Sequence, residues 1–392
     1  MRLLFVADGR SPIALNWIQY FTQTGHEVHL ASTYPCQPTL SLASLTIIPV
    51  AFSSAAGEVR TAEGTATRKK SLIRTLTTPR LRTTIRQWFG PLTLARAARR
   101  LRKLIQSLHP DLVHAMRIPY EGMIASQAKV EGIPLVVSIW GNDFTLHAPS
   151  TPRMMGLTRQ TLHRTDALHT DCYRDMYLAR EWGFALPKPG LTVPGNGGID
   201  LSIFHPPDQP TDGYQIIHPR GFRAYVRNDT FFQAIPLVLA NYPQTRFLLP
   251  TMSGDPHAAP YQNWLRASNL DHAVDFLPHF PRPELANLFR QATLVVSPTE
   301  HDGTPNTLLE AMACGCLPIA GDIEALREWI TPGDNGLLFD PNDYQALAAS
   351  LIRGLEDVTL RERAAKKNAR LIADRAEYFA SMAKAEEFYL RL

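Results

Sequence analysis

The sequence predicts two α/β domains of similar build, each a parallel sheet covered by helices, and three observations lead there. The chain has 392 residues, beyond the size at which one hydrophobic core keeps growing. Short β-rich runs alternate with helical patterns, as βαβ units require. A stack of turn formers, Pro194-Gly195-Asn196-Gly197-Gly198-Ile199-Asp200 with Pro206-Pro207 soon after, interrupts that alternation near the middle, and the alternation then restarts.

The elements follow in order. Arg2 to Ala7 reads as a buried strand, with Ser11 as an N-cap, Pro12 at the first helical position and Gly25 closing the helix. Strands are expected at Glu27 to Ala31, Leu45 to Pro49 and Asp111 to Met116, then a helix from about Tyr120 to Gly132. Ile133 to Ile139 is an almost unbroken apolar run, which suits a central parallel strand covered on both faces. Past the turn cluster, strands are predicted at Tyr214–His218, Arg246–Leu249, Ala273–Leu277, Thr293–Ser297 and Leu317–Ala320. A helix is expected around Phe231–Asn241 and a helical tail from Tyr344. These patterns give an N-terminal domain over 1–195, a C-terminal domain over 196–372 and a terminal helix over 373–392 that packs back on the first domain. Ligands of open parallel sheets sit beyond the carboxyl ends of the strands, so a ligand held in a cleft between the domains is expected.

Hydrophobic residues make up 45% of the chain and charged residues 19%, which excludes a disordered polymer. Four scattered cysteines do not make a disulfide framework, and Cys314 and Cys316 lack the second pair or the histidines of a zinc site. No window reaches the ~20 apolar residues of a spanning helix, so a cytoplasmic location is expected. The net charge of +4 is unevenly spread: residues 68–103 carry a run of cations, and no acid falls between Glu63 and Asp111. Such a block attracts anions, and an anionic membrane on the inner face is one expected partner, with Trp88 and Phe89 beside Arg86 as an interfacial anchor. A solvated, cationic helix pair is the plainer reading of the same residues. Nucleic acid is set aside, because the block lacks the aromatic interleaving of single-strand binders.

The most informative stretch runs from Val295 to Pro318. A buried strand ends at Ser297, a polar loop follows, and a helix begins near Pro305. That corner points free N–H groups and the positive end of a helix into the loop, a natural seat for a pyrophosphate. Gly303, Thr304, Asn306 and Thr307 are the candidate donor-binding residues, since Pro305 has no N–H. Asp302 and Glu310 could each accept hydrogen bonds from sugar hydroxyls. Read without that chemistry, Asp302 is a helix cap and Glu310 a solvated helix residue.

Asp302, Glu310 and the run Ala311-Met-Ala-Cys-Gly-Cys-Leu-Pro318 resemble the signature of the family-four retaining glycosyltransferases: Glu, seven residues, Glu, then Ala-Met-Ala-x-Gly-x-Pro, with Asp302, one methylene shorter, at the first acidic position. Asn196-Gly-Gly-Ile-Asp200 with Phe204 and Pro206 is similar to the family's hinge, and Asn335-Gly-Leu-Leu-Phe-Asp-Pro-Asn-Asp343 to a later motif. The resemblance implies the GT-B fold, two Rossmann-like domains facing across a cleft. It also implies a retaining, nucleotide-sugar-dependent transferase of polysaccharide biosynthesis that uses a glycan or lipid-linked acceptor. In the family a basic pair neutralises the departing diphosphate; Arg220 fits its arginine, and Arg227 or Arg223 would replace the missing lysine. Asp302 would orient the transferred sugar and Glu310 hold the ribose. The family's histidine after a central strand is replaced by Trp140, in Trp140-Gly141-Asn142-Asp143, so any histidine role passes to His114 or His147. On a buried strand, His114 reads more simply as a core residue. Asp143 enters the candidate catalytic set, Asn142 and Trp140 the acceptor set, and Gly9 resembles the family's phosphate-approaching glycine. No Asp-x-Asp pair occurs, so neither metal nor cofactor is expected, the nucleotide sugar being substrate. A catalytically silent nucleotide-sugar-binding subunit and a nucleotide-sugar epimerase on the same fold are the competing readings.

Overall fold

The computed structural model describes residues 1–51, 53, 79–208 and 213–392, with side chains from residue 84 in the helix that starts at Pro79. Arg68, Lys69, Lys70 and Arg74 of the basic block, and the side chains of Arg80 and Arg82, lie outside the described residues. The chain forms two compact units, Met1–Gly198 with Phe379–Leu392, and Ile199–Tyr378.

The first unit is built on β1 (Arg2–Ala7), β2 (Glu27–Ser32), β3 (Ser44–Ile47), β4 (Leu112–Ala115), β5 (Leu135–Ile139), β6 (Ala167–Thr170) and β7 (Gly190–Thr192). All pair in parallel in the order β3-β2-β1-β4-β5-β6-β7. The order reverses between β1 and β4, and loops leaving the two strands part there to open a crevice. Its helices are α1 (Pro12–Gln23), α2 (Pro79–Phe89), α3 (Leu94–Leu108), α4 (Met123–Ala128), α5 (Pro152–Arg164) and α6 (Tyr173–Glu181). Ser11 caps α1 by accepting from the Ala14 N–H, and Pro12 stands at the helix start. The helix expected over Tyr120–Gly132 stops at Ala128, after an irregular turn at Ile118–Gly122.

The second unit contains β8 (Gln215–Ile217), β9 (Arg246–Leu249), β10 (Val274–Phe276), β11 (Leu294–Ser297), β12 (Leu317–Gly321) and β13 (Leu337–Phe339), in the parallel order β10-β9-β8-β11-β12-β13. Here the order reverses between β8 and β11. Around it lie α7 (Asn228–Asn241), α8 (Ala258–Ala267), α9 (Arg282–Gln291), α10 (Asn306–Ala313), α11 (Glu324–Arg327), α12 (Tyr344–Glu356) and α13 (Val358–Ala376). Pleating sends Ile216, Leu294 and Val296 into one core layer and Ile217 and Val295 into the other, so both faces of the sheet are buried.

The last helix, α14 (Tyr378–Leu390), brings Tyr389 into the first unit. The Trp17 Nε1–H donates to Tyr389 Oη at 3.0 Å, and Tyr389 Oη also bonds His114 Nδ1. His114 is a satisfied core histidine: fully buried, it meets Ser138 Oγ at 2.7 Å through Nε2, and burial pushes its pKa well below the ordinary value.

Candidate active site

In the second unit the site assembles where β8 and β11 part. His218, at the end of β8, is buried. Its Nδ1 lies 3.2 Å from Val296 O, and its Nε2 meets the Asn228 side-chain amide at 3.0 Å. Burial holds its pKa down to about 4, so it is neutral and acts as a pin between β8, β11 and the start of α7. Gly221 adopts φ +65, a left-handed turn that suits glycine. Between pin and turn lies Arg220, 5% exposed. Its Nη2 donates to Asp302 Oδ2, and Nη1 reaches Thr307 Oγ1 at 3.4 Å.

Asp302 thus faces the end of β8 and does not cap α10. The N-cap of α10 is Pro305, which offers no side-chain hydrogen bond. The Asp302 Oδ1 accepts from Gly303 N at 3.2 Å, and Thr304 Oγ1 accepts from Trp329 Nε1 at 3.2 Å, so Thr304 is turned into the core. Glu310, fifth residue of α10, is 7% exposed and not the solvated glutamate of the plain sequence reading. Burial raises its pKa to about 7 against the pull of Arg282. No hydrogen bond or ion pair to its carboxyl is found among the described residues.

Other polar atoms here are buried and unsatisfied: Arg220 Nε, Ser297 Oγ, Thr299 Oγ1 and Asn306 Oδ1. Buried polar groups are almost always paired, so such a concentration marks a place for a polar ligand. Ser297 and Thr299 do not belong to the sequence-derived set. The available signal is two hydroxyls closing an otherwise apolar strand.

The two candidate partners of Arg220 differ. Arg227 holds Asp229 bidentately, at 2.9 and 2.7 Å, and Glu300 at 2.9 Å; these contacts raise its pKa above the already high ordinary value. Arg223 is exposed and donates to Tyr225 Oη at 3.1 Å.

In the first unit a cavity of about 180 Å³ opens at the carboxyl ends of β1, β4 and β5. Trp140 and His147 line it, whereas Asn142 and Asp143 do not. Both of the latter are occupied by Arg117: Asp143 Oδ1 accepts from Nε at 2.9 Å and Asn142 Oδ1 from Nη2 at 2.8 Å. Asp143 also accepts from the backbone N–H groups of Trp140 and Ile118, at 3.2 and 3.3 Å. Burial raises its pKa despite Arg117, and the carboxyl works as a clamp that shapes the loop. Gly9 donates to Ser32 Oγ at 3.0 Å, and a Cβ there would run into Cys36 Sγ and Ser32 Oγ. Close packing of the turn against the end of β2 therefore requires the glycine.

Asp171, Cys172 and Asp175 each bring a ligand atom within 4.8 Å of the others. Arg174 stands against Asp175, with Nε at 3.0 Å and Nη2 at 2.6 Å, and already supplies the positive charge a cation would bring. No helix among the described residues is long and apolar enough to cross a membrane.

Two parallel-sheet α/β units, each with a polar site at its strand switch point, define a protein of the GT-B class. The "Glycosyl transferase 4-like domain" model matches residues 9–197 and the "Glycosyl transferases group 1" model residues 203–371. The chain belongs to the family-four glycosyltransferases. It is 26% identical over 288 residues to a D-inositol 3-phosphate glycosyltransferase of Thermomonospora curvata, a match spanning 66% of each chain and so just under two thirds of that relative. Among solved structures, sucrose-phosphate synthase of Thermosynechococcus elongatus superposes with TM-score 0.74 at 17% identity, over 100% of this chain and 99% of the other. HepE of Anabaena, solved in complex with UDP, superposes with TM-score 0.72 at 15% identity over 100% of both chains. At these identities the likeness concerns the fold.

Proposed function

We propose that the chain transfers a sugar from a nucleotide diphosphate sugar to a glycan or lipid-linked acceptor, with retention and without a metal ion. The observation that carries this reading is the corner at β11 and α10. There a buried arginine, a buried carboxyl unpartnered among the described residues and several unsatisfied polar atoms stand at the switch point of a parallel sheet. Ribose hydroxyls would donate to Glu310, sugar hydroxyls to Asp302, and the diphosphate would lie against Arg220 and the loop at the start of α10. As the sugar–phosphate bond breaks, negative charge grows on the diphosphate, and fixed cations and amides lower the barrier without reorganising. With Arg227 held by two carboxylates, the exposed Arg223 is the better second cation. The UDP in the HepE complex supports a nucleotide in a fold of this kind.

On the acceptor side, Ile85, Trp88, Phe89 and Leu92 are exposed large apolar side chains, Trp88 at 58%. On the neighbouring helix α3, Arg96, Arg99, Arg100, Arg102 and Lys103 are all exposed. An apolar cluster beside exposed cations suits an anionic membrane surface, where a lipid-linked acceptor would be found.

A thermal-shift screen against UDP-, GDP- and ADP-sugars tests the donor, since a ligand that binds only the folded state raises stability. Proton NMR of the transferred sugar then reads the anomeric configuration, and activity persisting in EDTA tests metal independence. Inversion, or loss of turnover in EDTA, defeats that part of the reading. Trp140, standing where the family carries histidine, favours a second reading, a binding subunit without turnover. Donor binding with neither transfer nor hydrolysis in any acceptor mixture supports it.

A further inference from the structure

At the cavity of the first unit one arginine stands without a carboxylate in contact. Asp8 is matched by Arg10, whose Nε and Nη2 each reach the carboxylate at 3.0 Å. Asp143 is matched by Arg117 at 2.9 Å. Glu121 is buried, and its oxygens accept from Thr33 Oγ1 at 2.6 Å and Tyr120 N at 2.9 Å. Arg86, on α2, attracts the Glu121 carboxyl only at longer range: among the described residues no carboxylate stands within ion-pair distance of it, and its buried Nε has no hydrogen-bond partner.

Two aromatic rings hold this guanidinium instead. Its Cζ lies 4.7 Å from the Tyr120 ring centroid and 5.3 Å from that of Tyr34. Tyr120 Oη donates to the Arg86 backbone carbonyl at 2.7 Å and ties helix to loop. Ring contacts of this kind fix the orientation of the fork but supply no hydrogen-bond acceptor. A buried guanidinium nitrogen without an acceptor is costly, and a planar or tetrahedral oxyanion relieves it through two parallel N–H···O bonds. Gln87 and His147, 3.3 Å apart between Nε2 and Nδ1, line the same cavity with Trp140, whose ring offers a flat face for a hydroxylated ring.

We propose that this cavity binds a hydroxylated acceptor that carries an oxyanion, a phosphate or a carboxylate, and that Arg86 receives the oxyanion. The ligand's role as an acceptor rests on the transferase reading above; its binding does not.

The test uses the full chain labelled with ¹⁵N-arginine, following the guanidinium Nε–H signal that disappears in Arg86→Lys. That signal is expected to move saturably with inorganic phosphate and with glucose 6-phosphate or glucuronate, and to stay still with glucose. Arg86→Gln should weaken binding of the charged sugars roughly tenfold, the loss expected for one charge-assisted contact, with the affinity for the preferred nucleotide unchanged. A shift with water-soluble sugar phosphate assigns a soluble acceptor; a shift confined to a polyprenyl-diphosphate-linked sugar in micelles assigns a lipid-linked one. An Arg86 signal indifferent to every oxyanion, or moved equally by chloride, overturns the proposal. A parallel titration with UDP, GDP and ADP separates the two readings: absence of binding to all three counts against transfer and leaves this site standing.

Discussion

Glu310→Gln is the substitution whose outcome follows most directly from the structure. Burial raises the Glu310 carboxyl from 4.5 to about 7, which is worth about 3 kcal/mol at roughly 1.36 kcal/mol for each tenfold change in proton affinity. Between pH 4.5 and 7 the folded protein binds a proton that the unfolded chain does not, so stability falls as pH rises through that window. Above about pH 7 the whole penalty is present, because the carboxylate is then buried and charged. Glutamine keeps the shape and removes the charge. Urea unfolding of the second-unit transition should therefore show the variant more stable than the parent at about pH 8, by up to about 3 kcal/mol. At about pH 5 the gap should shrink to less than about 1 kcal/mol. Donor nucleotide should reverse the ranking at high pH, since ribose hydroxyls prefer two carboxylate oxygens to one amide oxygen. Glu310→Ala should weaken nucleotide binding by about 1–3 kcal/mol. Parallel pH–stability curves for the parent and Glu310→Gln, or a nucleotide affinity unchanged in Glu310→Ala, would refute the reasoning.

The other expectations concern single side chains. Arg220→Ala should lower kcat by about 10²–10³, the loss typical of removing one preorganised donor to developing charge, and a fall confined to KM would place Arg220 in uniform binding instead. Arg223→Ala should slow turnover more than Arg227→Ala, whose main effect should be on stability because it leaves Asp229 and Glu300 unmatched; the reverse order in paired kcat and melting measurements contradicts the assignment. Trp88→Ser with Phe89→Ser should reduce cosedimentation with liposomes containing acidic lipid and leave neutral liposomes unaffected; indifference to lipid charge rules out the membrane surface.

Much of the second sheet is legible because its strands are short apolar runs between turn residues: β9 appears at the expected Arg246–Leu249, and β11 and β12 differ from expectation by one residue each. β6 and β7 are not anticipated. Ala-Leu-His-Thr and Gly-Leu-Thr are too short and too mixed to show a period, and pairing in the sheet, not local preference, makes them strands. β13 escapes for the same reason, although its residues lie inside a recognised motif. The helical tail resolves into separate helices because Asp357 caps α13 by accepting from the Leu360 N–H.

At the site, spacing places Asp302 and Glu310 on one loop and helix. The bond from Arg220 to Asp302 depends on β8 and β11 being neighbours, 82 residues apart in sequence, and no local pattern encodes it. The occupation of Asn142 and Asp143 by Arg117 is hidden in the same way, as is Arg86, which reads in sequence as one more cation in a basic run.

Hydrogen–deuterium exchange with and without a saturating nucleotide sugar, chosen among UDP, GDP and ADP donors by binding, tests the central claim most directly. Slowed exchange is expected across residues 297–313, where the strand end, loop and first turns of α10 would meet the diphosphate and ribose. Protection confined to other segments of the second unit, with 297–313 unchanged, would contradict it.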